Sequence, residues 1–321
     1  MKITNVEIID ENDTYDYGTN PCSEIILRPY QFCNLTEVIV RAEDTETDLH
    51  RKVRVAAWMG TLQSTLTNFP YLRKVWKKNT EEERLLGVSL TGIFDNPAMF
   101  DAELLERLRL TAITANAQMA ELLGIPVSAA ITCVKPSGTV SQLCDTASGI
   151  HPRFAPYYIR RVRADNKDPL TDFMKSIGIP NEPDVTKPDT TTVFSFPKKA
   201  PEGAFTRNAI TAEGHLNAWL LFSNHWCEHK VSATISVKPE EWPAVGAWVW
   251  ENFDEISGVS FLPYDGGSYQ QAPYEEITKE QYDVLLKAMP SEDVDWSVIR
   301  EETDQTEGSQ TLACVAGVCE I

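Results

Sequence analysis

The stretch from Asp101 to Leu123 constrains the fold most, because it combines a helix cap, a helical apolar repeat and a stop signal. Asp101 can cap the first turn, and Gly124 followed by Pro126 ends the helix. Between these signals the apolar residues recur at helical spacing, at Leu104, Leu105, Leu108, Ala112, Met119 and Leu122. After a short turn, the apolar segment Ser128 to Val134 predicts a buried strand. A helix of this length that leads into a buried strand is typical of α/β proteins.

The rest of the chain repeats this alternation of strands and helices. The other predicted strands are Thr36 to Arg41, Val88 to Ile93, Thr190 to Phe196 and Val231 to Val237. The other predicted helices are Thr47 to Leu66 with Thr47 as cap, a short one from the capping pattern Thr80 to Glu83 up to Gly87, Thr211 to Cys227, and one capped by Thr278. We therefore expect an α/β fold with parallel strand pairing. The aromatic segment Trp242 to Trp250 is interpreted as a packing surface.

Composition narrows the functions that such a fold can serve. The sequence holds 47 acidic and 29 basic residues, and its net charge of −18 disfavours nucleic-acid or anionic-membrane binding, because both need basic patches. No apolar run approaches the roughly 20 residues of a membrane span, and no secretory signal is recognised. Seven irregularly spaced cysteines fit a reducing cytoplasm better than a disulfide framework, so we expect a cytoplasmic protein.

The first candidate for chemistry is the segment Asn20-Pro21-Cys22-Ser23-Glu24. Pro21 and the preceding Gly18 favour a loop, which would present the Cys22 thiol between an amide and a carboxylate. A thiol, an acid or base and a hydrogen-bond donor on one short loop can form a catalytic set. On these five residues alone, a small buried cysteine in a structural role explains the pattern equally well.

Three further thiols occupy positions of interest. Cys33 follows Cys22 by eleven residues and, taken alone, favours a structural role. Cys314 and Cys319 stand five residues apart near the chain end with Gly317 between them, a spacing that can close a disulfide and exchange it. Two thiolates alone do not complete a tetrahedral zinc site, so redox exchange is the favoured interpretation of this pair.

A turn rich in small polar residues follows the strand that is predicted to end at Val134. It reads Lys135-Pro136-Ser137-Gly138-Thr139-Val140-Ser141 and precedes the apolar stretch Gln142 to Cys144. Backbone N–H groups and hydroxyls at the entry to a helix can bind phosphate. The spacing of a Walker A loop is missing, and an ordinary strand-to-helix turn with capping residues accounts for the pattern equally well.

His225 and His229 lie one helical turn apart, which is the spacing of a helical zinc site. A third ligand is not evident, because Cys227 would point away from the face that the two histidines share. We therefore expect no metal site here. Cys133 and Cys144 are interpreted as core residues.

Together these segments resemble the catalytic chain of ribonucleotide reductase, specifically its C-terminal half. The segment Asn20 to Glu24 resembles the family's finger loop, and Phe32-Cys33-Asn34-Leu35 matches its second active-site cysteine at the family's spacing. The turn from Pro136 to Ser141 corresponds to the loop that binds substrate phosphate in the family, and Cys314 with Cys319 matches its redox tail. Four motifs in the same order carry the resemblance.

The motifs are most similar to the adenosylcobalamin-dependent class, especially its triphosphate-reducing branch. Supporting stretches are Gly149 to Tyr158 and Ser268 to Tyr274, and the late tyrosines are isolated rather than adjacent as in the oxygen-dependent class. The resemblance implies a ribonucleoside triphosphate substrate, or a diphosphate, and adenosylcobalamin as cofactor. It also implies the second half of a ten-stranded α/β barrel at 20–300, after a lead-in at 1–19 and before a flexible redox tail at 301–321.

The resemblance also implies a role for each cysteine motif. Cys22 would carry a thiyl radical that removes the ribose 3′ hydrogen, Glu24 would act as acid or base at the 3′ hydroxyl, and Asn20 would hold the ribose. Cys33 would supply one reducing thiol, and the tail pair would pass on electrons from thioredoxin or a relative. The partner cysteine of Cys33 lies in the family's N-terminal half, so we expect an N-terminal-half polypeptide as partner. Within this chain, Cys133, Cys144 and Cys227 could take that role only if the fold brought them close to Cys33.

Three alternatives remain open at the level of sequence. The chain could be a non-catalytic relic or binding subunit that keeps the fold. It could serve a ribonucleoside-diphosphate reductase with a different radical generator. It could also be another thiol oxidoreductase whose main site is the pair Cys314 and Cys319.

Overall fold

The computed structural model describes residues 16–264, 270–290 and 293–300, together with the backbone of Cys314–Val315 and Val318–Cys319. Its strands are β1 (Gly18–Thr19), β2 (Ile26–Leu27), β3 (Asn34–Ile39), β4 (Leu86–Thr91), β5 (Thr132–Cys133), β6 (Tyr157–Asp165), β7 (Asn181–Pro183), β8 (Thr191–Lys199), β9 (Ala233–Val237), β10 (Val259–Pro263), β11 (Tyr274–Glu276), β12 (Cys314–Val315) and β13 (Val318–Cys319). Its α-helices are α1 (Glu46–Gln63), α2 (Lys74–Glu83), α3 (Ala102–Leu123), α4 (Val140–Leu143), α5 (Pro169–Ser176), α6 (Ala212–His225), α7 (Trp242–Glu251) and α8 (Lys279–Ala288).

The chain divides into two units, of which the first comprises residues 16–153 and 203–264. In this unit β3, β4 and β5 pair in parallel, and β9 and β10 form a second parallel pair. A single parallel bridge between Val134 and Val231 joins the two groups into the order β3-β4-β5-β9-β10. The Val134 N–H donates to Lys230 O at 3.1 Å, and the Ser232 N–H donates to Val134 O at 2.9 Å. The predicted parallel pairing is confirmed for β3, β4 and β5 and for β9 and β10.

The two faces of the parallel sheet differ in chemistry, because successive side chains of a strand point to opposite sides. Toward the helices the strands contribute to one continuous apolar core, with Val38, Val88, Leu90, Ala233 and Ile235 among its members. The opposite face of β4 and β5 carries small or polar side chains instead, at Gly87, Ser89, Thr91 and Cys133. These side chains are fully buried, and Ser89 Oγ and Thr91 Oγ1 accept from the Lys135 and Gly149 N–H groups, so this face holds the loops that follow β5.

Helix α6 packs across the junction between the two strand groups. The Trp219 indole N–H donates to Val231 O at 3.0 Å, and the Trp226 indole N–H donates to Cys133 O at 2.8 Å. Both indoles are fully buried. One tryptophan thus binds the backbone on each side of the bridge, which holds β5 and β9 side by side where the ladder is shortest.

The helix signals in the sequence were partly correct. Helix α3 begins after Asp101, whose side chain accepts from the Leu104 N–H, and it ends at Gly124 with a left-handed φ of 63°, as predicted. The cap of α1 is Thr45 rather than Thr47, because Thr45 forms a reciprocal capping box with Asp48.

The predicted helix start at Thr80 is wrong. Thr80 to Glu83 form the last turn of α2, which begins at Lys74. The first half of this helix reads Lys-Val-Trp-Lys-Lys-Asn and has no apolar repeat that would reveal it. The acidic run after Thr80 therefore resembled the start of a helix when it is in fact the end of one.

The second unit comprises residues 154–202 and the described residues from 270 onward. Its four-stranded sheet has the order β11-β6-β8-β7, and all its pairings are antiparallel. The expectation of parallel pairing is therefore wrong for β8, which contains the predicted strand at Thr190 to Phe196. Strand β6 was not predicted, because Arg160, Arg161 and Arg163 interrupt its apolar alternation.

No helix in the described ranges combines the length and apolar character needed to cross a membrane. Residues 1–15 of the predicted lead-in, and residues 301–313 of the predicted tail, lie outside the described part of the chain. The tail strands β12 and β13 pair antiparallel, with the backbone of Cys314 opposite that of Cys319.

Candidate active site

The segment Asn20 to Glu24 forms the tip of the hairpin between β1 and β2, which pair antiparallel. Asn20 organises this tip: its backbone O accepts from the Ser23 N–H at 2.9 Å, and its side-chain Oδ1 accepts from the Ile25 N–H at 3.1 Å. Ser23 takes a left-handed φ of 63°, which turns the chain sharply after Cys22. As a result Cys22 is exposed at the tip, while the two residues that follow Ser23 are buried.

Glu24 is fully buried, and neither of its carboxyl oxygens has a hydrogen-bond partner within the described residues. Its backbone O is satisfied, because it accepts from the Lys230 N–H at 3.0 Å. A buried carboxyl group without partners is costly, and such groups in native proteins call for a functional explanation. The geometry makes Glu24 available to bind or exchange a proton with a group that enters the site.

Cys33 lies next to Glu24 in space. Burial raises the pKa of the Cys33 thiol, the negative charge of Glu24 raises it further, and a backbone hydrogen bond at Asn34 opposes both effects. The thiol is therefore protonated at neutral pH. The sequence placed Glu24 and Cys33 nine residues apart, and the hairpin together with the start of β3 brings their side chains into one neighbourhood.

A second buried thiol adjoins this pair. Burial raises the pKa of Cys133, and electrostatic coupling to the ionisable groups of Cys227, Cys33 and Glu24 raises it further. Cys133 and Cys227 are core residues, which confirms the interpretation of Cys133, whereas Cys144 is only partly buried and the core interpretation of it is wrong.

Gly87 on β4 has no side chain, and the side chains around the thiol cluster occupy the space that a side chain at this position would fill. A Cβ atom at position 87 would lie 3.3 Å from Cys133 Sγ, 3.3 Å from Ile25 Cδ1 and in collision with the Leu35 side chain. Side chains of the hairpin, of β3 and of β5 therefore converge over a glycine. A larger residue at this position would push the hairpin or the Cys33 segment out of place.

The turn from Pro136 to Ser141 leads from β5 into α4 and exposes its middle residues Gly138, Thr139 and Val140. The Ser137 N–H donates to Ser148 Oγ and the Ser141 N–H donates to Ser137 Oγ, both at 3.0 Å. The N–H groups of the three exposed residues have no partner in the described part of the chain. Free N–H groups on a turn that is fixed at both ends can bind an anion.

Sequence reasoning missed the residues that hold this turn in place. Gly149 has a left-handed φ of 54°, and a Cβ atom there would lie 2.5 Å from Lys135 O, so only glycine allows the close approach. Nearby, the buried Arg153 binds both carboxylate oxygens of the buried Asp95, at 2.9 and 2.8 Å. Asp95 Oδ2 also accepts from the Ala147 N–H at 2.9 Å. The signal available in the sequence is the stretch from Gly149 to Tyr158, which contains Arg153.

The two candidate zinc ligands have separate partners. His225 is the last residue of α6, and its Nδ1 contacts Glu106 Oε1 at 2.8 Å. His229 lies beyond the helix, where its Nε2 contacts Leu86 O at 2.7 Å. Among the described residues, no group of three or more histidine, cysteine or acidic side chains is arranged to hold a metal ion.

Cys314 and Cys319 are directly opposite in the antiparallel pair of β12 and β13. Opposed residues of such a pair have Cα atoms about 4.5–5.5 Å apart, which lies within the range that a disulfide spans. The backbone register is therefore compatible with the predicted redox pair.

No family model matches the sequence. The chain is similar to proteins named adenosylcobalamin-dependent ribonucleoside-triphosphate reductase: it is 31% identical to that of Euglena gracilis and 30% identical to that of Lactobacillus delbrueckii subsp. bulgaricus, each over 95% of this chain. These matches cover only 42% and 45% of the two relatives, so the chain spans less than half of their length. The matched region is their C-terminal part.

Solved structures give the same result for the fold. A B12-dependent, class II ribonucleotide reductase superposes with a TM-score of 0.73 at 27% identity, over 85% of this chain and 42% of that one. The α subunit of the class Id ribonucleotide reductase of Actinobacillus ureae superposes with a TM-score of 0.50 at 15% identity, which indicates a shared fold alone.

Proposed function

Because this chain is similar over nearly its whole length to the C-terminal part of adenosylcobalamin-dependent ribonucleotide reductases, we propose that it is the catalytic part of such an enzyme. It reduces ribonucleotides to 2′-deoxyribonucleotides by thiyl-radical chemistry. It acts together with a separate polypeptide that supplies the part of the relatives that this chain does not span.

The observation that carries the proposal is the arrangement of Cys22, Glu24 and Cys33. An exposed thiol stands at the tip of a hairpin, and an unpartnered buried carboxyl group follows two residues later. A mostly buried thiol lies within reach of the charge of that carboxyl group. A radical carrier, an acid or base and a reducing thiol are three of the protein groups that ribonucleotide reduction needs.

Adenosylcobalamin supplies, when it is bound, a carbon-centred radical that can take a hydrogen atom from a thiol. The fit to this chain is supported by the exposure of Cys22, since a bulky cofactor can reach a hairpin tip but not a buried thiol. The exposed surface around Pro21 and Cys22 is where the cofactor would meet the chain. Asn20 fixes the backbone of the tip that carries Cys22 by its hydrogen bonds to Ser23 and Ile25.

The chemical step is balanced by the residues of the site and one thiol from outside. Cys22, as thiyl, takes the 3′ hydrogen atom of the ribose, and Glu24 exchanges the proton of the 3′ hydroxyl. The 2′ hydroxyl then leaves as water. Cys33 and a second thiol supply two electrons and two protons and become a disulfide, and Cys22 returns the hydrogen atom to the 3′ carbon. The second thiol belongs to the partner polypeptide.

The turn from Pro136 to Ser141 would bind the substrate phosphates. Support comes from the unpartnered N–H groups of Gly138, Thr139 and Val140, and from the hydroxyl of Thr139. Because the chain carries a net charge of −18, the phosphates are bound by local dipoles rather than by a general positive field. The opposed pair Cys314 and Cys319 would reduce the disulfide of Cys33 and be reduced in turn by a thioredoxin-like protein.

A reduction assay tests the proposed function. The chain is incubated with adenosylcobalamin, a ribonucleoside triphosphate and a dithiol, alone and with the missing N-terminal part of a relative as a separate polypeptide. We expect deoxynucleotide only in the mixture. Cys22→Ser and Cys33→Ser should each abolish turnover, whereas Cys144→Ser, at a partly buried thiol that directly follows α4, should not.

The outcomes separate the parts of the proposal. Deoxynucleotide from this chain alone would refute the need for a partner. Unchanged turnover after Cys22→Ser would refute the radical role of that thiol. A mixture that is well folded but inactive with both triphosphates and diphosphates would refute the activity itself.

A further inference from the structure

Helix α7 presents an apolar surface to solvent. Its inner side packs on α6, where Val245 and Trp248 are buried and the Trp248 indole N–H donates to Asn217 Oδ1 at 2.8 Å. The interpretation of Trp242 to Trp250 as a packing surface accounts for this side only. The outer side and the turn that follows the helix carry six exposed residues without charge, which we call the α7 patch: Trp242, Pro243, Gly246, Ala247, Trp250 and Phe253.

The large side chains of the α7 patch are among the more exposed apolar groups of the described chain. Trp250 is 84% exposed, Phe253 is 69% exposed and Trp242 is 40% exposed. Residues four apart share one side of a helix, so Trp242 and Trp250 lie in one row with Gly246 between them. Contiguous exposed apolar side chains mark interaction sites, whereas single ones are ordinary. Tryptophan is also enriched among the residues that dominate binding energy at interfaces.

Gly246 leaves a notch in the middle of this row. Glycine in the interior of a helix lowers its stability relative to alanine, so its presence there calls for a reason. A Cβ atom at position 246 would meet no atom within 4 Å, so packing against the rest of this chain does not require a glycine. The missing side chain does allow a group of another molecule to approach the helix closely, with one indole on each side.

The charges around the α7 patch are all negative. Residues 239–264 contain five acidic and no basic side chains. Three of the acidic residues, Glu240, Glu251 and Asp254, are exposed, and none of them forms an ion pair within the part of the chain that the structure describes. An apolar surface with an acidic rim is complementary to an apolar surface with a basic rim.

We propose that the α7 patch is the docking site for an amphipathic, basic helix of another protein. Its apolar side chains enter the notch between Trp242 and Trp250, and its lysine or arginine side chains meet the acidic rim. A helix suits the site because the row runs along the axis of α7, and because a small residue at the crossing point lets two helices pack closely. The proposal does not depend on ribonucleotide reduction.

The same charges disfavour the other occupants. A second copy of this chain would bring two acidic rims together. The undescribed segments of the chain are acidic as well, since residues 1–15 contain four acidic and one basic residue and residues 301–313 contain four acidic and none that is basic. Tryptophan-rich surfaces also bind membrane interfaces, but anionic lipid would repel this rim.

Binding of a synthetic helix to the full chain tests the docking site. The probe is a fluorescently labelled peptide of leucine and lysine, about 18 residues long so that it can form a helix, with leucine at i, i+3, i+4 and i+7. Its matched control has glutamate in place of every lysine. In fluorescence anisotropy, the lysine peptide should bind saturably and more weakly as salt is raised, whereas the glutamate peptide should not bind.

Hydroxyl-radical labelling, read by mass spectrometry, locates the bound peptide. In the free chain, Trp250 and Phe253 should be oxidised readily, because they are the most exposed large side chains of the α7 patch. The lysine peptide should protect both. Tyr71 is 97% exposed in the segment between α1 and α2, and it serves as the internal control that should stay unprotected.

Matched variants separate binding from folding. Trp250→Ala should weaken the lysine peptide by about tenfold or more, whereas Tyr71→Ala should leave its affinity unchanged. Both side chains are exposed, so both variants should fold. Gly246→Gln should raise the urea midpoint, because glutamine favours a helix more than glycine does, and should weaken the peptide, because the new side chain fills the notch. Opposite changes in stability and affinity cannot result from misfolding.

Several results would overturn the docking site. These are the absence of binding by the lysine peptide, equal binding by the glutamate peptide, protection confined to other elements, or unchanged affinity of the Trp250→Ala or Gly246→Gln variant. Binding of phosphatidylcholine vesicles with protection of Trp250 would assign the α7 patch to lipid instead.

The part of the Lactobacillus delbrueckii subsp. bulgaricus relative that precedes the matched region, added as a separate polypeptide, completes the test. The α7 patch should stay reactive in its presence. Protection of Trp250 by this polypeptide would make the α7 patch an internal contact of the complete enzyme and would refute the proposal. None of these measurements requires cofactor or turnover, so their failure would leave the proposed function unaffected.

Discussion

Replacement of Glu24 by methionine should stabilise the chain and at the same time remove its activity. The Glu24 side chain is fully buried, and neither oxygen has a hydrogen-bond partner among the described residues. A buried polar group without a partner costs about 1–3 kcal/mol. Methionine fills a similar volume with adaptable apolar atoms and carries no such cost. We therefore expect the free energy of unfolding to rise by about 1–3 kcal/mol.

Urea unfolding followed by tryptophan fluorescence measures this change. All tryptophans except Trp296 lie in the first unit, which also contains Glu24, so the signal reports on the relevant part of the chain. The midpoint should move to higher urea with an unchanged slope. The matched control is Glu228→Met. Glu228 Oε2 accepts from the Ile131 N–H at 3.1 Å, so this substitution should lower the stability by about 1–3 kcal/mol.

The comparison can refute the reasoning. If Glu24→Met lowered the free energy of unfolding by more than about 1 kcal/mol, the carboxyl group would have to be stabilised by polar partners in the folded chain. Glu24 would then be a structural residue, and its proposed role as acid or base would lose its physical basis. A gain in stability together with loss of turnover in the reduction assay is the expected combination.

Three further predictions address the surroundings of the site. Asp95→Ala removes the buried carboxylate that binds Arg153 through two oxygens and leaves the guanidinium its contacts with Asp145. It should cost about 1–3 kcal/mol in denaturant unfolding, and an effect below about 1 kcal/mol would mean that the pair is not structural. Burial lowers the pKa of His215 to about 3, below its unfolded value near 6.5, so its contribution to stability is complete above pH 6.5 and is lost as the pH drops toward 3. His215→Gln should reduce the slope of the free energy of unfolding against pH in this range by about one proton. An unchanged slope would contradict the conclusion that His215 is neutral in the folded chain. In iodoacetamide mapping by mass spectrometry, the exposed Cys22 should react well before Cys33, whose pKa is raised by burial and by Glu24, and the reverse order would contradict the geometry of the hairpin.

Local signals determined which elements could be predicted from the sequence. Helix α3 was predicted correctly because both its ends carry specific residues, Asp101 and Gly124, whose roles depend only on their neighbours. Where two signals competed, as at Thr45 and Thr47, the reciprocal pair with Asp48 decided the start of the helix. Strand β6 and its antiparallel sheet depend on long-range pairing of an arginine-rich segment, which no local pattern indicated.

For the candidate site too, some features could be predicted from the sequence and others depend on tertiary packing. The residue types made Cys22 and Glu24 one of two equal interpretations, whereas Cys33 was indicated only by the resemblance to a family. Similarity to known proteins supports that family. The burial of Glu24, its effect on Cys33 and the room provided by Gly87 depend on how the hairpin, β3 and β4 come together. Such distances are properties of tertiary packing and could not be predicted from spacing.

Trp219 in α6 and Trp226, the residue that follows this helix, have a consequence for how the sheet can be observed. β5 and β9 share a single bridge, and Trp226 and Trp219 bind the backbone on its two sides. Any widening of the gap between these strands must break at least one of the two indole hydrogen bonds and admit water to a buried ring. Substitution of the other tryptophans would leave these two as intrinsic fluorescent probes of the gap between β5 and β9. Their fluorescence would then report, during turnover, whether the sheet beneath the thiols stays closed or opens with each substrate.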